Sequence, residues 1–212
     1  MDPWDNLQIE HDSYKLLITG KSGYGKTTYW LRTLLGLPAG VKFIFDHKGE
    51  VALRLGCRPC FTPEELGQAI DTGWVIYSPA VMFEGRQPEG FLYFLEFAFR
   101  ASCQLPGRKI FGCDELQHFV GTSQVPGELA MVNDDGRIRG LDMVYISSAP
   151  NIIHNRLRGQ VDEVVAFRTD EDNPLEWLIT KGFNPEHLKN LIKGEFICRN
   201  CNSGAQARGR VF

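Results

Sequence analysis

The stretch YKLLITGKSGYGKTTYWLRTLLG, residues 14–36, decides the fold. Its centre, Gly20-Lys21-Ser22-Gly23-Tyr24-Gly25-Lys26-Thr27, has the pattern G-x-x-x-x-G-K-[ST]. The apolar run YKLLIT (14–19) reads as a strand ending directly on the glycines, and KTTYWLRTLLG (26–36) as a helix closed by Gly36 and Pro38. Glycines let the backbone turn tightly enough for successive N–H groups to point inward at phosphate oxygens. The following helix adds the positive end of its dipole. Lys26 is then expected to neutralise the β- and γ-phosphates, and the Thr27 hydroxyl to complete a Mg²⁺ shell. The loop from Gly20 to Thr28 is thus expected to bind ATP with Mg²⁺.

Working outward, short β-branched or aromatic runs alternate with amphipathic stretches, which predicts an α/β fold with a mainly parallel sheet. VKFIFD (41–46) and WVIYS (74–78) are continuous apolar strands, as expected where both sheet faces are covered. Residues 89–103 read as a deeply buried helix, apolar nearly all round. KIFGCDE (109–115), DMVYISS (142–148) and DEVVAFR (162–168) are further strands. PLEWLIT (174–180) and EFIC (195–198) read as late strands, separated by a short helix opened by Asn184-Pro185-Glu186. The last residues, NSGAQARGRVF, suit an extended arm or an edge strand.

The run KIFGCDE delivers Asp114 and Glu115 to the carboxyl edge of the sheet, where α/β sheets bind ligands. Asp114 is expected to hold Mg²⁺ through its water shell, and Glu115 to polarise the attacking water as general base. A glutamate there favours hydrolysis over phosphoryl transfer to a small molecule.

The bulk numbers agree with one such domain. The chain has 212 residues, long enough for one well-buried α/β domain and short for two, with 43% hydrophobic and 23% charged residues. A net charge of −3 argues against a generally basic nucleic-acid binder but permits a local basic pore. The start, MDPWDNLQIEHD, shows no leader pattern, and the most apolar stretch, from Phe91, falls short of the about 20 residues of a membrane span. The expectation is a protein made and kept in the cytosol, without stable membrane insertion. Six cysteines include two C-x-x-C pairs, Cys57/Cys60 and Cys198/Cys201, which would make a zinc site only if they met in space.

With both motifs placed, the chain resembles the FtsK/HerA superfamily of ring-forming DNA pumps, and within it the genome-packaging ATPases of tectivirus-type viruses. The residues that carry the resemblance are GKSGYGKTT (20–28), KIFGCDELQHF (109–119), GRIRGLDMVYISSAP (136–150) and NRLRGQVDEVVAFR (155–168). The resemblance implies a single RecA-like domain over residues 1–212, with a core of about 14–170 and a short β extension over about 171–212. It implies a homo-oligomeric ring, hexameric in such pumps, that moves double-stranded DNA into a capsid and meets capsid or portal-vertex proteins in the virion. It also implies that Arg137, just before the sensor strand, serves as a finger reaching the γ-phosphate bound to the neighbouring subunit. Related pumps commonly end the sensor strand in glutamine, then arginine and proline. This chain has Ser147-Ser148-Ala149-Pro150, which leaves Ser148, with its shorter reach, or Asn151 as the polar sensor.

Other readings stay open at this level. A Zot-like phage assembly ATPase shares the core but works at a membrane. A P-loop small-molecule kinase would need an arginine-rich lid, which Arg156 and Arg158 could imitate. A third is a structural component for which hydrolysis is only a switch. Arg156, Arg158, Arg168, Arg199, Arg208 and Arg210 suit either a DNA-lining pore or a dispersed charged surface.

Overall fold

The computed structural model describes residues 13–123 and 125–212; the leader reading of residues 1–12 lies outside them. The expected strands are β1 (Lys15–Thr19), β2 (Val41–Phe45), β3 (Trp74–Tyr77), β4 (Lys109–Cys113), β5 (Leu141–Ser147), β6 (Glu163–Phe167), β7 (Glu195–Asn200) and β8 (Gln206–Arg210). They form one eight-stranded sheet in the order β3-β2-β4-β5-β1-β6-β7-β8. All pairings from β3 to β6 are parallel, and β7 and β8 close the sheet antiparallel. The helices are α1 (Lys26–Gly36), α2 (Glu50–Leu55), α3 (Pro63–Ala69), α4 (Gln87–Gln104), α5 (Gly127–Asp135), α6 (Asn155–Arg158), α7 (Asp172–Thr180) and α8 (Pro185–Lys189). The α/β class with a mainly parallel sheet is as expected, and among the described residues no helix is long and apolar enough to cross a membrane.

The continuous apolar strands follow from a core on each face of the sheet. Because strand side chains alternate, Leu17, Phe43, Phe45, Phe111, Met143 and Tyr145 pack on one face with Phe91, Phe94 and Leu95 of α4. Leu16, Ile18, Ile44, Ile110, Val144 and Ile146 pack on the other with Trp30, Leu31 and Leu34 of α1. Trp30 is fully buried, and its indole N–H donates to the Val144 carbonyl at 2.8 Å. It fits because β4 carries glycine opposite it: a Cβ on Gly112 would stand 2.8 Å from Ile44 Cδ1 and 3.0 Å from Trp30 Cζ2. That close approach seats α1, and with it the loop that opens α1, on β4 and β5.

One expected element changes class. PLEWLIT, read as a strand, lies in helix α7. Pro174 sits in its first turn, where backbone N–H groups have no intrahelical partner to lose. Pro174, Leu175, Trp177 and Leu178 are buried while Ile179 is 46% exposed, a helical and not an alternating pattern. The strand EFIC, the helix capped by Asn184 and the terminal edge strand stand as read.

The two C-x-x-C pairs do not meet. Cys60 bridges to β3 at one edge of the sheet, while Cys198 lies in β7 near the other. Burial, together with a 2.6 Å hydrogen bond donated to the Glu163 carboxylate, pushes the Cys198 thiol up to about 12, far from the thiolate that zinc requires. Among the described residues, no group of three or more His, Cys, Asp or Glu is placed to hold a metal.

Candidate active site

The parallel strands β2, β4, β5 and β1 release their chains at one edge of the sheet, so residues far apart in sequence converge there. The loop between β1 and α1 runs through left-handed backbone, with φ of 124° at Gly20 and 111° at Gly25. A cleft of about 390 Å³ opens over it. Ser22, Gly23, Gly25, Lys26, Thr27 and Thr28 line it from the loop, Asp114 and Glu115 from the end of β4, and Lys48, Glu50 and Arg54 from the segment after β2. Lys193 and Phe212 also line it, from the segment before β7 and the chain after β8.

Lys26 is buried and donates from Nζ to the Gly20 carbonyl at 2.7 Å. Burial lowers its ammonium below the usual range, with Glu115 and Asp114 pulling the other way. The Thr27 hydroxyl donates to Asp114 Oδ2 at 3.5 Å. Asp114 is 8% exposed, and its Oδ1 is buried with no hydrogen-bond partner. Burial, then the neighbouring Glu115 charge, raises its carboxyl, against the pull of Lys48 and Lys26. An orphaned buried carboxylate oxygen beside a threonine hydroxyl fits a hard divalent cation such as Mg²⁺.

Glu115 is, among the described residues, the one non-glycine with positive φ, at 55°. Such a backbone costs about 1–3 kcal/mol, and strain of this kind clusters at functional positions. Its Oε2 accepts from Ser148 Oγ at 3.0 Å and from Gln117 Nε2, and Gln117 Nε2 also donates to Ser148 Oγ at 2.8 Å. Burial raises its carboxyl, but the hydrogen bonds from Gln117 and Ser148, with Lys26 and Lys48, outweigh it and leave the group below the usual range. Glu115 is therefore held ionised, as a base must be.

Not every expected residue reaches the cleft. The Lys21 amide is committed to the Arg168 carbonyl at 2.7 Å, and its ammonium pairs with Asp170 at 2.8 Å. The Tyr24 ring lies beneath the Arg168 guanidinium. Ser148 touches the site through Glu115, and Asn151 keeps a buried, unpartnered Oδ1. Arg137 stands elsewhere. It lies in the turn before β5, and in the parallel register Leu141 opens β5 while Ser147, its last residue, pairs with Thr19 beside the phosphate loop. A six-residue advance along a strand is about 20 Å. Arg137 thus belongs to the opposite edge of the sheet from its own chain's cleft, beside Lys15, Asp134 and Arg156.

Gln117, Lys48, Lys193 and Phe212 meet at the site without a role assigned to them from the sequence. Arg156 pairs with Asp134, Arg168 with Asp170, and Arg208 with Glu195 at 2.7 Å.

No family model and no curated protein matches the sequence. Solved structures do match in fold. The genome packaging NTPase B204 of Sulfolobus turreted icosahedral virus 2, in complex with ATP-gammaS, superposes with a TM-score of 0.73 at 17% identity, covering 95% of this chain and 100% of that one. B204 of Sulfolobus turreted icosahedral virus, described as the DNA-packaging ATPase, gives 0.73 at 19% identity, covering 94% and 98%. VirB4 of Thermoanaerobacter pseudethanolicus gives 0.65 at 14% identity, covering 93% and 89%. The likeness runs over nearly the whole chain: this protein has the fold of these ATPases.

Proposed function

We propose that this chain is an ATP-hydrolysing motor that drives double-stranded DNA into a viral capsid, working as a single ATPase domain within a homo-oligomeric ring. It would assemble in the host cytoplasm and act at the packaging vertex of the virion. The observation that carries the reading is the convergence of Lys26, Thr27, Asp114 and an ionised, strained Glu115 in one cleft, on a fold shared end to end with B204.

In this reading Lys26 leaves the Gly20 carbonyl for the β- and γ-phosphates. Thr27 and Asp114 hold Mg²⁺, which offsets negative charge on the phosphate oxygens. Glu115 Oε2 is fixed by Gln117 and Ser148, leaving Oε1 to take a proton from water. The water oxygen forms a bond to the γ-phosphorus as the bond to the β-phosphate oxygen breaks, giving ADP and phosphate. Arg137, on the far edge of its own sheet, reaches a γ-phosphate only across a subunit boundary, where it stabilises transition-state charge.

Steady-state ATP hydrolysis with and without long double-stranded DNA tests the reading. A motor is stimulated by DNA, in a manner that rises with protein concentration as rings form. Hydrolysis indifferent to both would contradict it.

A further inference from the structure

The chemistry above leaves unused two residues that line the cleft, Lys193 from the segment joining α8 to β7 and Phe212 from the chain leaving β8. Gly194 donates from its N–H to the Tyr24 carbonyl at 3.0 Å, and Val211 donates to the Gly194 carbonyl at 2.9 Å. Arg32 of α1 donates to the Val211 carbonyl. These bonds tie the end of the hairpin to the phosphate loop itself.

The tie delivers one side chain to the cleft. Phe212 Cε1 lies 3.3 Å from where a Cβ on Gly25 would stand, and Cε2 lies 2.9 Å from one on Gly194. The ring therefore covers two glycines whose φ values, 111° and 87°, already disfavour any other residue. Phe212 nonetheless remains 57% exposed, and among the described residues lining the cleft it is the one aromatic ring. An open phenyl face beside a phosphate loop, in a cleft that Lys193 also lines, fits a planar partner carrying hydrogen-bond acceptors.

We propose that Phe212 is the nucleobase platform of the site: the base of a bound nucleoside triphosphate stacks on its exposed face, and Lys193 donates to acceptors on the base or ribose. This deepens the nucleotide-binding reading and rests on it. Stacking accepts any π-face, and Lys193 offers donors only. The platform therefore does not tell one purine from another, and ATP and GTP should bind within a few-fold of each other.

Calorimetric titration of the full chain tests this, with Mg²⁺ and three probes: the β,γ-methylene analogues of ATP and GTP, and inorganic tripolyphosphate, which has no base. Phe212→Ala is expected to weaken both analogues about tenfold, within the range for loss of a stacked base, and to leave tripolyphosphate unchanged. Phe212→Tyr keeps the face and should bind like wild type. In Phe212→Trp, the new indole should be quenched by either analogue and not by tripolyphosphate. Analogue affinity unchanged in Phe212→Ala would overturn the proposal. So would an equal loss of tripolyphosphate binding, which would make the ring only a prop for Gly25. Lys26→Ala separates the two readings: it should lose all three ligands, whereas a wild type that binds none would remove the nucleotide reading, and the platform with it.

Discussion

Ser148 Oγ, just past the end of β5, donates a 3.0 Å hydrogen bond to Oε2 of Glu115, just past the end of β4. The two residues are 33 positions apart and meet because β4 and β5 are parallel neighbours. Gln117 joins them from the following turn. The bond favours the ionised carboxylate, so removing it must raise the Glu115 pKa. In Ser148→Ala, the acid limb of the pH–rate profile should move to higher pH. The plateau should fall about tenfold, the rate equivalent of the roughly 1.5 kcal/mol carried by a hydrogen bond to a charged group. A profile that falls without moving would mean that Ser148 acts on something other than Glu115.

Asp114 presents the opposite balance. Burial and Glu115 hold its carboxyl above the usual range, so the folded state binds its proton more tightly than the unfolded chain does. Stability linked to this group falls as pH rises through that interval, and at neutral pH the charged form is a standing cost. Asp114→Asn should therefore raise the melting temperature of the nucleotide-free protein by about 2–4 °C, as about 1 kcal/mol does in a chain of this size. The same variant should lose Mg²⁺-dependent nucleotide binding. Scanning calorimetry at pH 7 checks the first part; a lower melting temperature would contradict it.

Arg137 and Glu115 occupy opposite edges of the sheet, so one active centre would draw them from two subunits. Arg137→Ala should retain nucleotide binding and lose about 10³-fold in turnover, the scale of an arginine finger. Glu115→Gln should lose about 10²–10⁴-fold. Mixing the two inactive variants would place a wild-type Glu115 beside a neighbour's wild-type Arg137 at some boundaries. Partial recovery of hydrolysis is expected; two variants that stay inactive in every ratio would contradict a shared site.

Gly112 supports the site from behind. A methyl there would press on Ile44 and Trp30. Gly112→Ala should destabilise the fold by about 1–3 kcal/mol, the usual cost of overpacking, measured by urea unfolding. An unchanged midpoint would mean that α1 is seated less closely on β4 than described.

Much of this was legible in the sequence because it is local. The strand-loop-helix unit from β1 to α1 is written in one motif, and the parallel strands announce themselves as unbroken apolar runs. What failed is equally physical. PLEWLIT is short and rich in strand-favouring types, and only the burial of Leu175 and Leu178 three apart, with Ile179 outside, separates helix from strand. Glu115 was readable as an acid after a strand, but neither its left-handed backbone nor its partner Gln117 is encoded in local spacing. Lys48 enters the cleft because Asp46 accepts from the Ala52 amide at 2.9 Å and turns the chain into α2. Lys193 and Phe212 enter because an antiparallel hairpin folds back on the phosphate loop. Such juxtapositions are set by sheet topology and leave no periodic mark.

The claim that hydrolysis moves the chain along DNA is tested most directly by displacement of a triplex-forming oligonucleotide from a long linear duplex. ATP-dependent displacement is expected from the wild-type protein and none from Glu115→Gln. Robust ATP hydrolysis with the triplex left in place would contradict it.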